Sequence, residues 1–193
     1  MTSEQSLSYR RYRCHSPDQA PLTFVRVLII MTAAIALLVG KAEAFPKNGD
    51  PAPPLTLPDL KGNRLALPAM AKGKILVIHF WSASCEYCRK EMVALERLKA
   101  ENKNLFPVSI SVGDSLKAIE QYLETSRPTY PIMIDNDRSI ATNYGVTGIP
   151  TTYVIDGKGI IRYKIFGEIS APGLRRLLKT LDEPAKPLPL RKK

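Results

Sequence analysis

Cys85 and Cys88 sit three residues apart in "KILVIHFWSASCEYCRKEM", directly behind an apolar stretch rich in aromatics. A strand that runs into C-x-x-C, which then opens a helix, suits thiol–disulfide exchange. A thiol at the first helical turn meets unpaired backbone N–H groups and the positive end of the helix dipole. Both favour the thiolate, which is the reactive form. The second thiol, one turn on, is placed to resolve a mixed disulfide. The bland alternative is half of a zinc site. That needs two more ligands, and the chain offers only Cys14, His15 and His79 besides.

Two further residues sit where they bear on that pair. Glu91 follows Cys88 by three, one helical turn away on the same face. Its bland reading is a surface glutamate, alone or paired with a lysine. His79 precedes Trp81 by two in the apolar stretch. Its bland reading is a core histidine satisfied by a backbone carbonyl or a water.

The elements that must hold these residues follow from periodicity. Residues 45–54 are proline-rich and extended, and "LTLPDLKGNRLAL" reads as two short strands around a turn at 59–63. Ile75 to Trp81 form a strand apolar on both faces, as in a central parallel sheet. A helix is expected over 85–102, with Met92, Leu95 and Leu98 on its apolar stripe, joined by Val93 and Ala94. Further strands are expected at 106–112, 130–134, 151–155 and 160–166, the last two joined as a hairpin by Asp156-Gly157-Lys158-Gly159. Helices are expected at 115–124, with Leu116, Ile119 and Leu123 inward, and at 139–144. A last helix, capped by Ser170, turns Leu174, Leu177, Leu178 and Leu181 inward. Strands alternating with helices and closed by an antiparallel pair make an α/β domain with a mixed sheet.

The chain has 193 residues and a formal charge of +10. Its Lys and Arg are scattered, with no dense basic run interleaved with aromatics, which argues against nucleic-acid binding. A solvated face and weak attraction to anionic lipid fit better. Near the N-terminus, Arg10, Arg11 and Arg13 precede an uncharged apolar run from Val27 to Val39, and Ala42-Glu43-Ala44 offers small residues for cleavage. Residues 1–44 are therefore expected to be a signal peptide cleaved after Ala44, or an uncleaved membrane anchor that takes in Arg26 by snorkelling. Either reading places the rest outside the cytoplasm. The domain is expected over 45–182, followed by a basic, proline-rich tail over 183–193. The part after Ala44 keeps 23 basic and 15 acidic residues and, of the three cysteines, only Cys85 and Cys88. A disulfide framework is excluded, which leaves the pair for redox work.

Taken together, "GDPAPPLTLPDLKGNRLALPAMAKGK", "FWSASCEYCRKEM" and "YGVTGIPTTYVIDGKGIIRYKIFG" resemble the TlpA/ResA-like branch of exported thioredoxin-fold thiol–disulfide oxidoreductases, within the redoxin or AhpC/TSA-like proteins. The resemblance covers about residues 47–182. It implies a thioredoxin-like fold, with an N-terminal hairpin and an α/β insertion at 114–144. It also implies a redox disulfide between Cys85 and Cys88, a cis bond from Ile149 to Pro150, and no cofactor or metal. Trp81, Glu86, Tyr87, Ile149 and Pro150 are then expected to bind the substrate. Glu91 would handle protons beside the thiols. His79 stands where relatives carry Asp or Asn, and a neutral imidazole there can pass a proton to and from Cys88 near pH 7. Ser84 and Tyr87 depart from the aromatic and proline common at those places, which bears on partner choice.

The implied function is reduction of disulfides in exported proteins, such as apocytochrome c, with a membrane thiol donor re-reducing a monomeric enzyme. The helix start favours the Cys85 thiolate, Glu86 and Glu91 oppose it, Arg89 and Lys90 partly compensate, and no histidine lies between the cysteines. The span from thioredoxin to the strongest oxidant of this fold is about 150 mV, and this balance points to the reducing end. Two alternatives stay open. A copper-binding chaperone of this fold would use C-x-x-x-C and a distant histidine. A peroxidase of the same fold would want Thr-x-x-Cys and a later arginine.

Overall fold

The computed structural model describes residues 45–125 and 127–182. The expected signal or anchor at 1–44 and the tail at 183–193 lie outside the described residues. Strands are β1 Leu55–Pro58, β2 Arg64–Leu67, β3 Ile75–Trp81, β4 Leu105–Val112, β5 Ile132–Asp135, β6 Thr151–Ile155 and β7 Ile161–Phe166. Helices are α1 Glu86–Glu101, α2 Leu116–Leu123, α3 Ser139–Asn143 and α4 Ala171–Asp182. No helix among the described residues is long and apolar enough to cross a membrane.

β1 and β2 pair as the expected N-terminal hairpin. Its turn closes because the Asp59 carboxylate accepts from the Lys61 and Asn63 amides, both at 2.8 Å. The main sheet runs β5-β4-β3-β6-β7. β3, β4 and β5 are parallel neighbours, and β6 and β7 are antiparallel. Every residue of β3 is buried, as its unbroken apolar run requires of a central strand covered on both faces.

The period of two sorts side chains between the sheet's faces. Leu76, Ile78 and Phe80 enter a core with Val108, Ile110, Met133, Tyr144, Tyr153 and the β1–β2 hairpin. Val77 and Trp81 enter a second core with Met92, Leu95 and Leu98 of α1, Ile119, Tyr122 and Leu123 of α2, and Leu174 and Leu178 of α4. One inward assignment fails: Leu116 is exposed, and Tyr122 completes the buried stripe of α2. Leu116 shares the stripe with Ile119 but opens the helix, in its first turn. Leu177 and Leu181 of α4 are only partly buried. Peptide bonds Ile149–Pro150 and Leu67–Pro68 are cis; the first was expected, the second was not.

Candidate functional site

The site lies where β3 hands over to α1. Cys85 is the N-cap of α1 in extended backbone (φ −94°, ψ 104°), and its sulfur accepts from the Cys88 amide at 3.2 Å. Cys85 and Cys88 are joined as a disulfide. Cys85 is partly exposed, whereas Cys88 is 0% exposed. That asymmetry divides the labour: only Cys85 can be reached by a partner, and Cys88 can act only on Cys85.

The approach to Cys85 is fixed by residues distant in sequence. Asp114 accepts from the Ala83 amide at 2.8 Å and from Ser111 Oγ at 2.6 Å, pinning the loop before the cysteine. Tyr122 donates its hydroxyl to the Cys85 carbonyl at 3.0 Å. Its ring lies 4.7 Å from the Trp81 ring on one hand and 3.9 Å from the Arg89 guanidinium on the other. Arg89 also donates to the Tyr122 carbonyl at 2.8 Å and to Thr125 Oγ1 at 2.7 Å. Its charge is thus committed to bracing α2 against α1.

Beneath α1, at Glu91, lies a polar row crossing three strands. Register sets His79 beside Ser109 on β4 and Thr152 on β6, all three fully buried. His79 Nδ1 and Ser109 Oγ are 3.1 Å apart, and Ser109 donates to the Tyr130 hydroxyl at 3.3 Å. From above, α1 lowers Glu91 onto this row, where Thr152 Oγ1 donates to Glu91 Oε1. Glu91 Oε2 is 3.9 Å from His79 Nε2, too far for a hydrogen bond. Burial holds the Glu91 carboxyl up at about 7, against the hydrogen bond from Thr152, which favours the anion. Burial alone holds His79 down to about 3. At neutral pH the pair is therefore not an ion pair. His79 is neutral, and Glu91 sits at the midpoint of its titration.

These facts revise several expectations. Glu91 is 1% exposed, so it is no surface glutamate. Nor does it set a full charge against the Cys85 thiolate below about pH 7. The partner of His79 is a serine hydroxyl rather than a backbone carbonyl. Trp81 is 0% exposed and offers no surface to a substrate; it supports Cys88 and Tyr122 from within the core, because its strand is covered on both faces. Pro150 is also buried, so it acts by placing Ile149 rather than by touching a partner. Glu86, Tyr87 and Ile149 do meet beside Cys85. With Ser82, Ser84 and Arg138 they line a cleft of about 670 Å³. Tyr87 is 60% exposed and carries Lys90 Nζ over its ring at 5.5 Å.

Thr152, Ser109, Asp114 and Tyr122 escaped the reading of the sequence. One signal was there to find: serines at 109 and 111, period two, interrupt an otherwise apolar "LFPVSISV". That is a polar line on one face of a buried strand, and buried polar groups need partners. Among the described residues, no three His, Cys, Asp or Glu side chains converge as a metal site.

Known proteins are similar to this chain. The AhpC/TSA family profile matches residues 48–164. Thioredoxin-like protein YneN of Bacillus subtilis is 36% identical over 126 residues, covering 63% of this chain and 73% of that protein. Thiol-disulfide oxidoreductase ResA of Bacillus subtilis is 27% identical over 155 residues, covering 76% and 86%. Among solved structures, a thiol:disulfide interchange protein of the thioredoxin family from Chlorobium tepidum superposes with a TM-score of 0.60. It is 26% identical, covering 70% of this chain and 97% of that one.

Proposed function

The chain belongs to the AhpC/TSA family and is a thiol–disulfide oxidoreductase of thioredoxin-like fold, and we propose that it reduces disulfides of exported proteins through the Cys85/Cys88 dithiol. One observation carries this reading: a reachable Cys85 at a helix N-cap stands over a fully buried Cys88 that shares a helix face with Glu91.

The Cys85 thiolate attacks one sulfur of the partner's disulfide. That S–S bond breaks, a Cys85–partner disulfide forms, and the partner's other sulfur leaves as a thiolate. Cys88 then gives up its proton and attacks Cys85 Sγ. The partner's second thiolate leaves, and Cys85–Cys88 closes. The partner gains two electrons, and its thiolates take up two protons. Glu91, held near neutrality by burial, is the acceptor for the Cys88 proton. A dithiol donor in the membrane restores Cys85 and Cys88 by the reverse exchange.

The direction follows from what faces Cys85. The Cys88 amide and the helix start favour its thiolate, Glu86 in the first turn opposes it, and Arg89 is spent on Tyr122. Stabilisation is modest, so the potential should lie nearer about −270 mV than about −120 mV. The segment at 1–44 supports a periplasmic or otherwise extracytoplasmic setting, secreted or tethered. Apocytochrome c, or another exported cysteine protein, is the substrate class that this setting favours.

The test is a trap in that compartment. With Cys88→Ser, Cys85 should accumulate as a mixed disulfide with its substrate, recovered under non-reducing conditions and identified by mass spectrometry. Recovery no greater than from Cys85→Ser would contradict a dedicated protein substrate.

A further inference from the structure

The cleft beside Cys85 carries a cation that the fold leaves unspent. Among the thirteen residues lining it, Arg138 and Glu86 are the only charged ones. The carboxylates of the loops around Arg138 are all engaged elsewhere. Asp135 accepts from the Ile140 and Ala141 amides at 3.2 and 2.8 Å, and Asp137 from the Ser139 amide at 3.0 Å. Asp114 holds Ala83 and Ser111. The arginine ion pairs among the described residues are Arg162–Asp156 and Arg175–Glu101, and Arg138 makes none.

Arg138 is nevertheless placed. It is the one non-glycine described residue with positive φ, at 62°. Its side chain crosses Gly113, where a Cβ would meet Arg138 Nε at 2.5 Å. A residue other than glycine at 113 would push the guanidinium aside. The long side chain thus lies over backbone just past the end of β4, and no ion pair among the described residues takes its charge. A guanidinium so held suits a carboxylate, which it can grip through two parallel hydrogen bonds. Glu86 lines the same cleft from the start of α1, so the cleft is cationic toward α3 and anionic toward α1.

We propose that Arg138 is a specificity residue, which binds an acidic side chain that a partner protein carries on one side of its reactive disulfide. The proposal rests on the reductase reading and adds the substrate class: exported segments with Asp or Glu on one flank of the cysteine. Acid on the other flank would fall toward Glu86 and gain nothing.

The experiment uses three synthetic peptides, each with one cysteine in mixed disulfide with a small thiol. One has Glu before the cysteine, one Glu after it, and one Gln at both places. Their second-order reduction rates by the reduced protein are compared as ratios to the Gln peptide. One of the two Glu peptides should react about two- to fivefold faster, an advantage that shrinks in high salt. Arg138→Asn, which tolerates the left-handed backbone, should bring the ratio to one. Arg138→Lys should keep part of it, and Arg138→Glu should push it below one. Equal ratios in the wild type and Arg138→Glu would overturn the proposal while the reductase reading stands. A wild type that reduces none of the three peptides would overturn both.

Discussion

Leu76, Ile78 and Phe80 leave β3 toward one layer, and Val77, His79 and Trp81 leave it toward the other. The first layer is closed and settled. Phe80 packs against Tyr144 and Tyr153 with ring centroids 5.5 and 6.0 Å away. The polar ends there are satisfied: Tyr153 donates to the Tyr144 carbonyl, and Tyr144 to the Pro53 carbonyl at 2.6 Å. The second layer is not settled. His79 Nε2, Trp81 Nε1 and Glu91 Oε2, all of that layer, are the described buried side-chain N and O atoms without a hydrogen-bond partner. Buried polar groups are normally paired, so such a cluster on one face marks function rather than support. One face of the sheet closes with its polar ends paired, and the other keeps two buried titratable groups, His79 and Glu91, against α1.

The largest effect is expected at Phe80. Phe80→Ala should cost about 3–5 kcal/mol of stability in denaturant titration, with turnover per folded molecule unchanged. A large loss of turnover in protein shown to be folded would mean that the apolar layer also serves the chemistry. Glu91→Gln should do the reverse. It keeps the shape and the acceptor for Thr152, so no stability is lost, while turnover in steady-state disulfide reduction falls about 10²-fold.

The next effect is a pair of opposed pH slopes. Folded Glu91 titrates near 7 rather than at its ordinary 4.5, so between these values the folded state holds one proton more than the unfolded. Its contribution is fully present below pH 4.5 and is lost as pH rises toward 7. Folded His79 titrates near 3 rather than 6.5, so the unfolded state holds the extra proton. That contribution is present above pH 6.5 and is lost as pH falls toward 3. In the wild type the two slopes cancel between pH 4.5 and 6.5. His79→Asn should unmask a stability that falls with rising pH, and Glu91→Gln one that rises with it. Each slope should reach up to about 1.4 kcal/mol per pH unit in urea titrations. Two flat profiles would mean that neither group is shifted. The smallest effect is expected at Tyr122→Phe, which removes the hydroxyl from the Cys85 carbonyl at a cost of about 1 kcal/mol, read from the denaturation midpoint.

The two faces also differ in how far the sequence disclosed them. Apolar periodicity was enough to foresee β3, α1, the β6–β7 hairpin and most of both cores, because burial writes itself into spacing along a single element. Cys85 and Cys88 were plain for the same reason, since their geometry is local. The polar row under Glu91 was not. Thr152 meets Glu91 across 61 residues, and Ser109 meets His79 across 30. Such contacts depend on register between strands, which no single stretch encodes. Trp81 misled because the resemblance implied a contact with substrate, whereas the central strand buries it. Arg138 carried no signal in the sequence, since its place depends on Gly113 coming to lie beneath it.

On the proposed mechanism, Glu91 takes the proton of Cys88 when the mixed disulfide resolves. The direct measurement is the single-turnover release of thiol from a Cys85-linked mixed disulfide, followed from pH 5 to 9 in the wild type and Glu91→Gln. The wild-type rate should rise through about pH 7, as Glu91 becomes free to accept a proton, and the variant should be slower and lose that inflection. The same inflection and the same rate in Glu91→Gln would contradict it.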